Sequence, residues 1–253
     1  MNDSILWHRE SGIGHITLNR PNACNAINAE LAEQLEVTLR SLACESDAII
    51  VRGAGGNFSA GGDLKLIQEK RTDREIVHSF LGTVGRAFDL IATLPVPVVA
   101  AVEGYCLAGG FELMQACDFA VAAQDAVIGD GHVEFAQLPG GGGAVRTVRN
   151  LGRQAALGLL LTGNRFSGAD AAARGLIYQA FPKGRFEQGV AELAELLSRR
   201  GRGALQAVKH AVTECYELPL EQALALERDL CAEHVAGPVA GAGFERFLAR
   251  VNK

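Results

Sequence analysis

The chain has 253 residues, 48% hydrophobic and 21% charged, with 24 Lys and Arg against 29 Asp and Glu for a formal net charge of −5. That length suits one large domain, and that composition excludes disorder, collagen and coiled coil. The acidic balance does not favour a nucleic-acid binder, which needs a basic surplus or stripe; Arg199, Arg200 and Arg202 form the one dense basic cluster, at an expected helix end.

Alternation from Ile5 to Leu18 predicts two short strands around the turn Ser11–Gly14. Asn28 caps a helix from Ala29 to about Leu42. Ala48–Val51 reads as a fully buried strand running into the glycine-rich stretch Gly53–Gly62. A polar stretch, Gln68 to Asp73, precedes a helix that ends before Pro95. A second buried strand, Val96 to Val102, leads through Glu103–Gly110 into a helix from Phe111 to Cys117 and a strand from Phe119 to Ala122. After Pro139 and the glycines at 140 to 143 the pattern is almost wholly helical. The expected organisation is an α/β core over residues 1–190 and a helical region over 191–253.

The opening residues lack the basic-then-apolar order of a signal peptide, and no apolar run approaches the ~18 residues of a membrane span, so a cytoplasmic protein with no membrane partner is expected. Cys24, Cys44, Cys106, Cys117, Cys215 and Cys231 show no CxxC spacing and read as reduced thiols. The six histidines show no ligand spacing, so no metal site is expected.

Two buried strands thus each lead through paired glycines, Gly61-Gly62 and Gly109-Gly110, towards a helix start. Unpaired N–H groups at such places can hold the charge that develops on a thioester carbonyl as it becomes an enolate. The same glycines can also serve only to make tight turns. Glu112, in the first turn of its helix, is either an acid that favours the helix dipole or a group that moves a proton beside the enolate.

Four other patterns are weaker. Gly53–Phe58 begins like a dinucleotide fingerprint but breaks at Phe58, and Gly140–Gly143 lack the Lys-Ser/Thr of a phosphate loop. His132-Val133-Glu134 copies half of a zinc-deaminase signature whose Pro-Cys-x-x-Cys is missing. Gly104–Gly110 resembles the cysteine elbow of dienelactone hydrolases, with Cys106 as nucleophile and Asp118 or Asp125 with His210 or His234 as partners, although the elbow carries one residue too many.

Four blocks together resemble the enoyl-CoA hydratase/isomerase family, the crotonase superfamily: Asn19–Asn28, Phe58–Leu64, Pro95–Asp118 and Leu138–Leu176, in family order. The resemblance implies a spiral of ββα units with a C-terminal helical region that builds homotrimers or hexamers, and acyl-coenzyme A substrates, coenzyme A being part of the thioester and no separate cofactor being needed. It places the oxyanion hole at the N–H groups of Gly62 and Gly109, the coenzyme A site around Ala60, Asp63, Leu64 and Lys65, and the first catalytic glutamate at Glu112.

The chain departs from the pattern where hydratases carry their second glutamate. There the segment reads Gly129-Asp130-Gly131-His132 in place of glycine, glutamine, proline, glutamate. His132 is a second acid/base or a bystander, and Glu134 would share its face only in an extended segment. Hydration, single-base isomerisation through Glu112, decarboxylation and hydrolysis all stay open, as do a Cys106 hydrolase and a crotonase-fold assembly protein without turnover.

Overall fold

The computed structural model describes residues 3–251. Strands β1 (Ile5–Glu10) and β2 (Ile13–Leu18) form the expected hairpin, with Ile5 opposite Leu18. Helix α1 (Ala29–Glu45) follows, its first turn capped by the Asn28 side chain, which accepts from the Leu31 N–H. Strand β3 (Ala48–Gly53) leads to α2 (Leu64–Lys70), which takes up part of the stretch expected to be irregular, and to α3 (Arg74–Thr93). Next come β4 (Val98–Val102), β5 (Tyr105–Leu107), α4 (Gly109–Ala116), β6 (Phe119–Ala123) and β7 (Val127–Gly129). Helix α4 starts two residues before the expected Phe111, because Gly109 and Gly110 are already its first residues.

Beyond a 3-10 turn at His132–Phe135 lie α5 (Gly143–Thr162), β8 (Phe166–Ser167), α6 (Gly168–Ala173), β9 (Gln179–Phe181), α7 (Phe186–Arg200), α8 (Arg202–Cys215), α9 (Leu220–Ala236) and α10 (Pro238–Val251). The stretch expected to be almost wholly helical contains two short strands, β8 and β9.

The main sheet runs β1-β2-β3-β4-β6-β9, and every pairing from β2 onward is parallel. A second sheet runs β5-β7-β8. All of β4, and all of β3 except Arg52, is buried, as parallel strands covered on both faces require. Helix α1 packs on β1 to β3, α3 lies on α1 and α4, and α7 packs on β3 and β6. Residue 190 falls inside α7, whose Phe186, Val190, Ala194 and Leu197 join the same core as the sheet.

Two isolated bridges tie the glycine-rich loop after β3 into this frame: Ile27 pairs with Gly62, and Ser59 pairs with Cys106 of β5. Asn25 organises the near side of the loop. Fully buried, it donates from Nδ2 to the carbonyls of Ala54 and Asn57 and accepts the Arg20 N–H. The basic cluster is dispersed into structural work, since Arg199 pairs with Glu195 while Arg202 donates to the carbonyls of Ala43 and Ser46 at the end of α1.

Candidate active site

The loop after β3 and the start of α4 are pressed together. The Ser59 N–H donates to the Tyr105 carbonyl, and the Ser59 carbonyl accepts from Leu107. At Gly110 no side chain fits, because a Cβ there would stand 2.3 Å from the Ser59 carbonyl oxygen. Gly61 has φ +116, a conformation side chains rarely adopt, and a Cβ on it would come within 2.8 Å of the Ala108 Cβ. This approach sets the N–H groups of Gly62 and Gly109 side by side: a Cβ on Gly109 would lie 3.3 Å from the Gly62 nitrogen, and one on Gly61 3.4 Å from the Gly109 nitrogen. Among the described residues neither N–H has an acceptor. Two free, adjacent donors backed by a helix start can hold an oxyanion. Ala108, between β5 and α4, has φ +46, a strained conformation for a residue with a side chain.

Glu112 sits in the first turn of α4 and is 3% exposed. Its Oε1 accepts from the N–H groups of Gly141 (2.7 Å) and Gly143 (2.9 Å), while Oε2 takes no hydrogen bond among the described residues. The glycine run expected only to differ from a phosphate loop thus grips the carboxylate. Burial pushes the Glu112 carboxyl above its ordinary range; the two N–H groups and the His132 charge pull it down, and the Asp130 charge pushes it up again. A buried carboxyl group with its pKa raised and one free oxygen is equipped to take up and give back a proton.

His132 begins the 3-10 turn, and its Nδ1 lies 3.0 Å from Asp130 Oδ1, which also accepts the His132 backbone N–H. Burial opposes a charge on the ring, yet the Asp130 hydrogen bond and the charges of Asp130 and Glu112 together raise the His132 pKa. Glu134 does not share the face of His132. The tight helical turn replaces the extended segment that would have aligned them, and Glu134 pairs with Arg165 at 2.9 Å instead. Asp130 is the residue missed from the sequence; its spacing of two from His132 was the available signal.

Of the four residues expected to meet coenzyme A, Ala60, Leu64 and Lys65 are exposed. Asp63 is half-buried and ion-paired with Arg20 at 2.8 Å, which fixes the loop from below. Leu81 of α3 stands against Gly140, close in sequence to Leu138, which is 82% exposed.

The family model for enoyl-CoA hydratase/isomerase matches residues 8–252. The chain belongs to that family. It is 32% identical over 250 residues to a protein named as a probable enoyl-CoA hydratase of Mycobacterium bovis, covering 98% of this chain and 96% of the relative. It is 31% identical to the 2,3-dehydroadipyl-CoA hydratase of Escherichia coli, covering 97% and 96%. A crystal structure of an enoyl-CoA hydratase from a Polaromonas species superposes with a TM-score of 0.92 at 31% identity, over 97% of each chain. The protein is therefore an enzyme of the enoyl-CoA hydratase/isomerase family with the crotonase fold.

Membership fits the fate of the rival motif. Cys106 is fully buried in β5 and burial pushes its thiol well up, the opposite of what a nucleophile needs. Three of its four supposed partners have other partners: Asp118 pairs with Lys209 (2.8 Å), Asp125 lies 3.9 Å from Lys183 and His210 3.9 Å from Glu214. Histidine spacing along the chain hid one cluster: the β1–β2 register sets His8 opposite His15, ring centroids 4.6 Å apart, with Glu10 beside them, and their ligand atoms lie within 4.8 Å of one another. No described helix is long and apolar enough to cross a membrane.

Proposed function

We propose that this enzyme adds water to 2-enoyl-CoA thioesters, using His132 where its relatives in the family pattern use a second glutamate. The observation that carries the reading is a set of two acid/base groups whose charges act on each other, Glu112 with a free Oε2 and His132 held by Asp130, with Glu112 one turn along α4 from the unpaired Gly109 N–H, itself adjacent to that of Gly62. The relatives named as hydratases support the same reaction.

The thioester carbonyl oxygen accepts hydrogen bonds from Gly62 and Gly109. Water attacks the β-carbon as its proton passes to Glu112 Oε2, and the electron pair of the double bond moves onto the carbonyl oxygen, where the two N–H groups hold it. His132 then gives a proton to the α-carbon, and a proton returned from Glu112 to His132 resets the site. No metal and no separate cofactor enter the scheme; coenzyme A arrives with the substrate. Ala60 and Leu64 border its adenine, Lys65 meets a phosphate, and Asp63 holds the loop through Arg20. The acyl chain lies towards Leu81 and Leu138.

The exposed apolar side chains of α9 and α10, among them Leu220 (74%) and Phe247 (65%), support self-association through the helical region as a trimer or hexamer. Six unpaired cysteines support a cytoplasmic setting.

The test is incubation with crotonyl-CoA and a 3-enoyl-CoA in deuterated water, with products followed by mass spectrometry. Addition of water to crotonyl-CoA is the expected result. A shifted double bond or deuterium exchange without hydration would overturn it in favour of a single-base isomerase, and released coenzyme A in favour of a hydrolase.

A further inference from the structure

Asp130 is only 1% exposed, and its two oxygens differ sharply. Oδ1 accepts twice from His132, from the backbone N–H and from ring Nδ1, each at 3.0 Å. Oδ2 is buried with no hydrogen-bond partner among the described residues. It stands 3.0 Å from the point a Cβ on Gly143 would occupy, and Glu112 Cγ stands 3.1 Å from that same point, so the two carboxyl-bearing side chains converge on one spot. Two buried carboxylates brought together repel unless a cation or a proton lies among them. His132 is the basic group whose charge acts on Glu112, and both carboxylates act on His132 in return.

We propose that Asp130 is a positioning residue that holds His132 as an imidazolium, its Nδ1–H bonded to Asp130 so that Nε2–H is the proton donor offered to the substrate. The inference rests on the proposed role of His132. Asp130, His132 and Glu112 then share a net charge of minus one, the same as two carboxyl groups with one proton between them, which is how a histidine can stand in a site otherwise suited to paired carboxylates. A neutral residue at 130 would loosen the ring's hold on that proton and so weaken the donor to the α-carbon. On giving up its proton the ring keeps Nδ1–H on Asp130, so neither orientation nor tautomer changes through turnover.

The charged groups around His132 are few. Asp130 faces it from its own loop and Glu112 from α4. Glu134 in the same turn is tied to Arg165, and Arg146 of the adjacent α5 is tied to Asp89 and the Gly141 carbonyl.

The test is NMR titration of the ring carbons in histidine-labelled full-length protein, His132 being assigned with His132→Gln, alongside pH profiles of hydration of crotonyl-CoA. In Asp130→Asn, which keeps the acceptor and removes the charge, the His132 titration should move to lower pH. The alkaline limb of kcat should move with it, with a loss of ~10-fold or more at pH ~8 that is recovered on acidification, and KM should change little. Asp130→Ser gives the same reading if the Asn variant folds poorly. An unmoved His132 titration overturns the proposal. Full activity of His132→Gln at every pH would instead sink the proposed role of His132, while the NMR arm still decides whether Asp130 holds the ring charged.

Discussion

The Lys209 ammonium sits 2.8 Å from Asp118 Oδ2 and also donates to the carbonyls of Ile91 and Val96, so one buried cation fastens α8 to the end of α3 and to the strands of the main sheet. Asp118 in turn accepts the Val98 N–H at 2.7 Å, at the start of β4. Lys209→Met removes these bonds and leaves the Asp118 carboxylate, whose side chain is 20% exposed, to water and to the Val98 N–H. The stability of the fold should fall by about 1–3 kcal/mol in denaturant unfolding. A change of a few tenths would show that the pair is solvated in solution.

Gly61→Ala strikes the frame of the site. The new Cβ meets both the positive φ of +116 and the Ala108 Cβ at 2.8 Å, and the backbone shift that relieves this separates the N–H groups of Gly62 and Gly109. The expected cost is about 1–3 kcal/mol of stability. Loss of one aligned donor should cut kcat by ~10² or more. A variant with wild-type kcat would remove the N–H pair from the proposed mechanism.

Glu112→Gln separates activity from stability. Without a base, kcat should fall by ~10² or more while KM for the thioester changes little. Stability should move the other way. Burial raises the Glu112 pKa above its unfolded value, so the contribution of this group is greatest at low pH and is lost as pH rises through the folded-state value; at neutral pH its charge costs stability. Glutamine keeps an oxygen for the N–H groups of Gly141 and Gly143 and carries no charge. The expected result is a higher Tm than wild type near pH 7, and a gap that closes on acidification; an unchanged or lower Tm would argue against a buried ionised Glu112.

Phe247→Asp tests the helical region. If the protein self-associates as proposed, a charge at this exposed apolar position of α10 should yield smaller species in light scattering, while a wild-type protein that runs at 26.7 kDa would contradict self-association outright.

The buried parallel strands were legible because continuous apolar runs such as Ala48–Val51 and Val98–Val102 have no other use, and Asn28 announced α1 by its cap. The strand expected from Val96 begins at Val98, since Pro97 has no N–H to give to a ladder. Strands β5, β7 and β8, of three, three and two residues, are too short to show a period, so the sheet that carries the start of α4 was invisible in the sequence. Paired glycines before a helix and an acid in its first turn drew attention to these two turns, and the family resemblance singled out Gly62, Gly109 and Glu112 within them. The pairing of Lys209 with Asp118, 91 positions apart, has no local signature.

The two donors beside Glu112 belong to the main chain, at Gly62 and Gly109, whereas the groups able to move protons are side chains on α4 and on the loop after β7. Substitution can therefore rewrite the second set without touching the first. A fold made this way separates what it grips from what it then does: the turn from Ser59 to Gly62, stitched to β5, can stay as it is while the proton-moving side chains change. Under the proposed mechanism, Asp130 and His132 are one such rewriting.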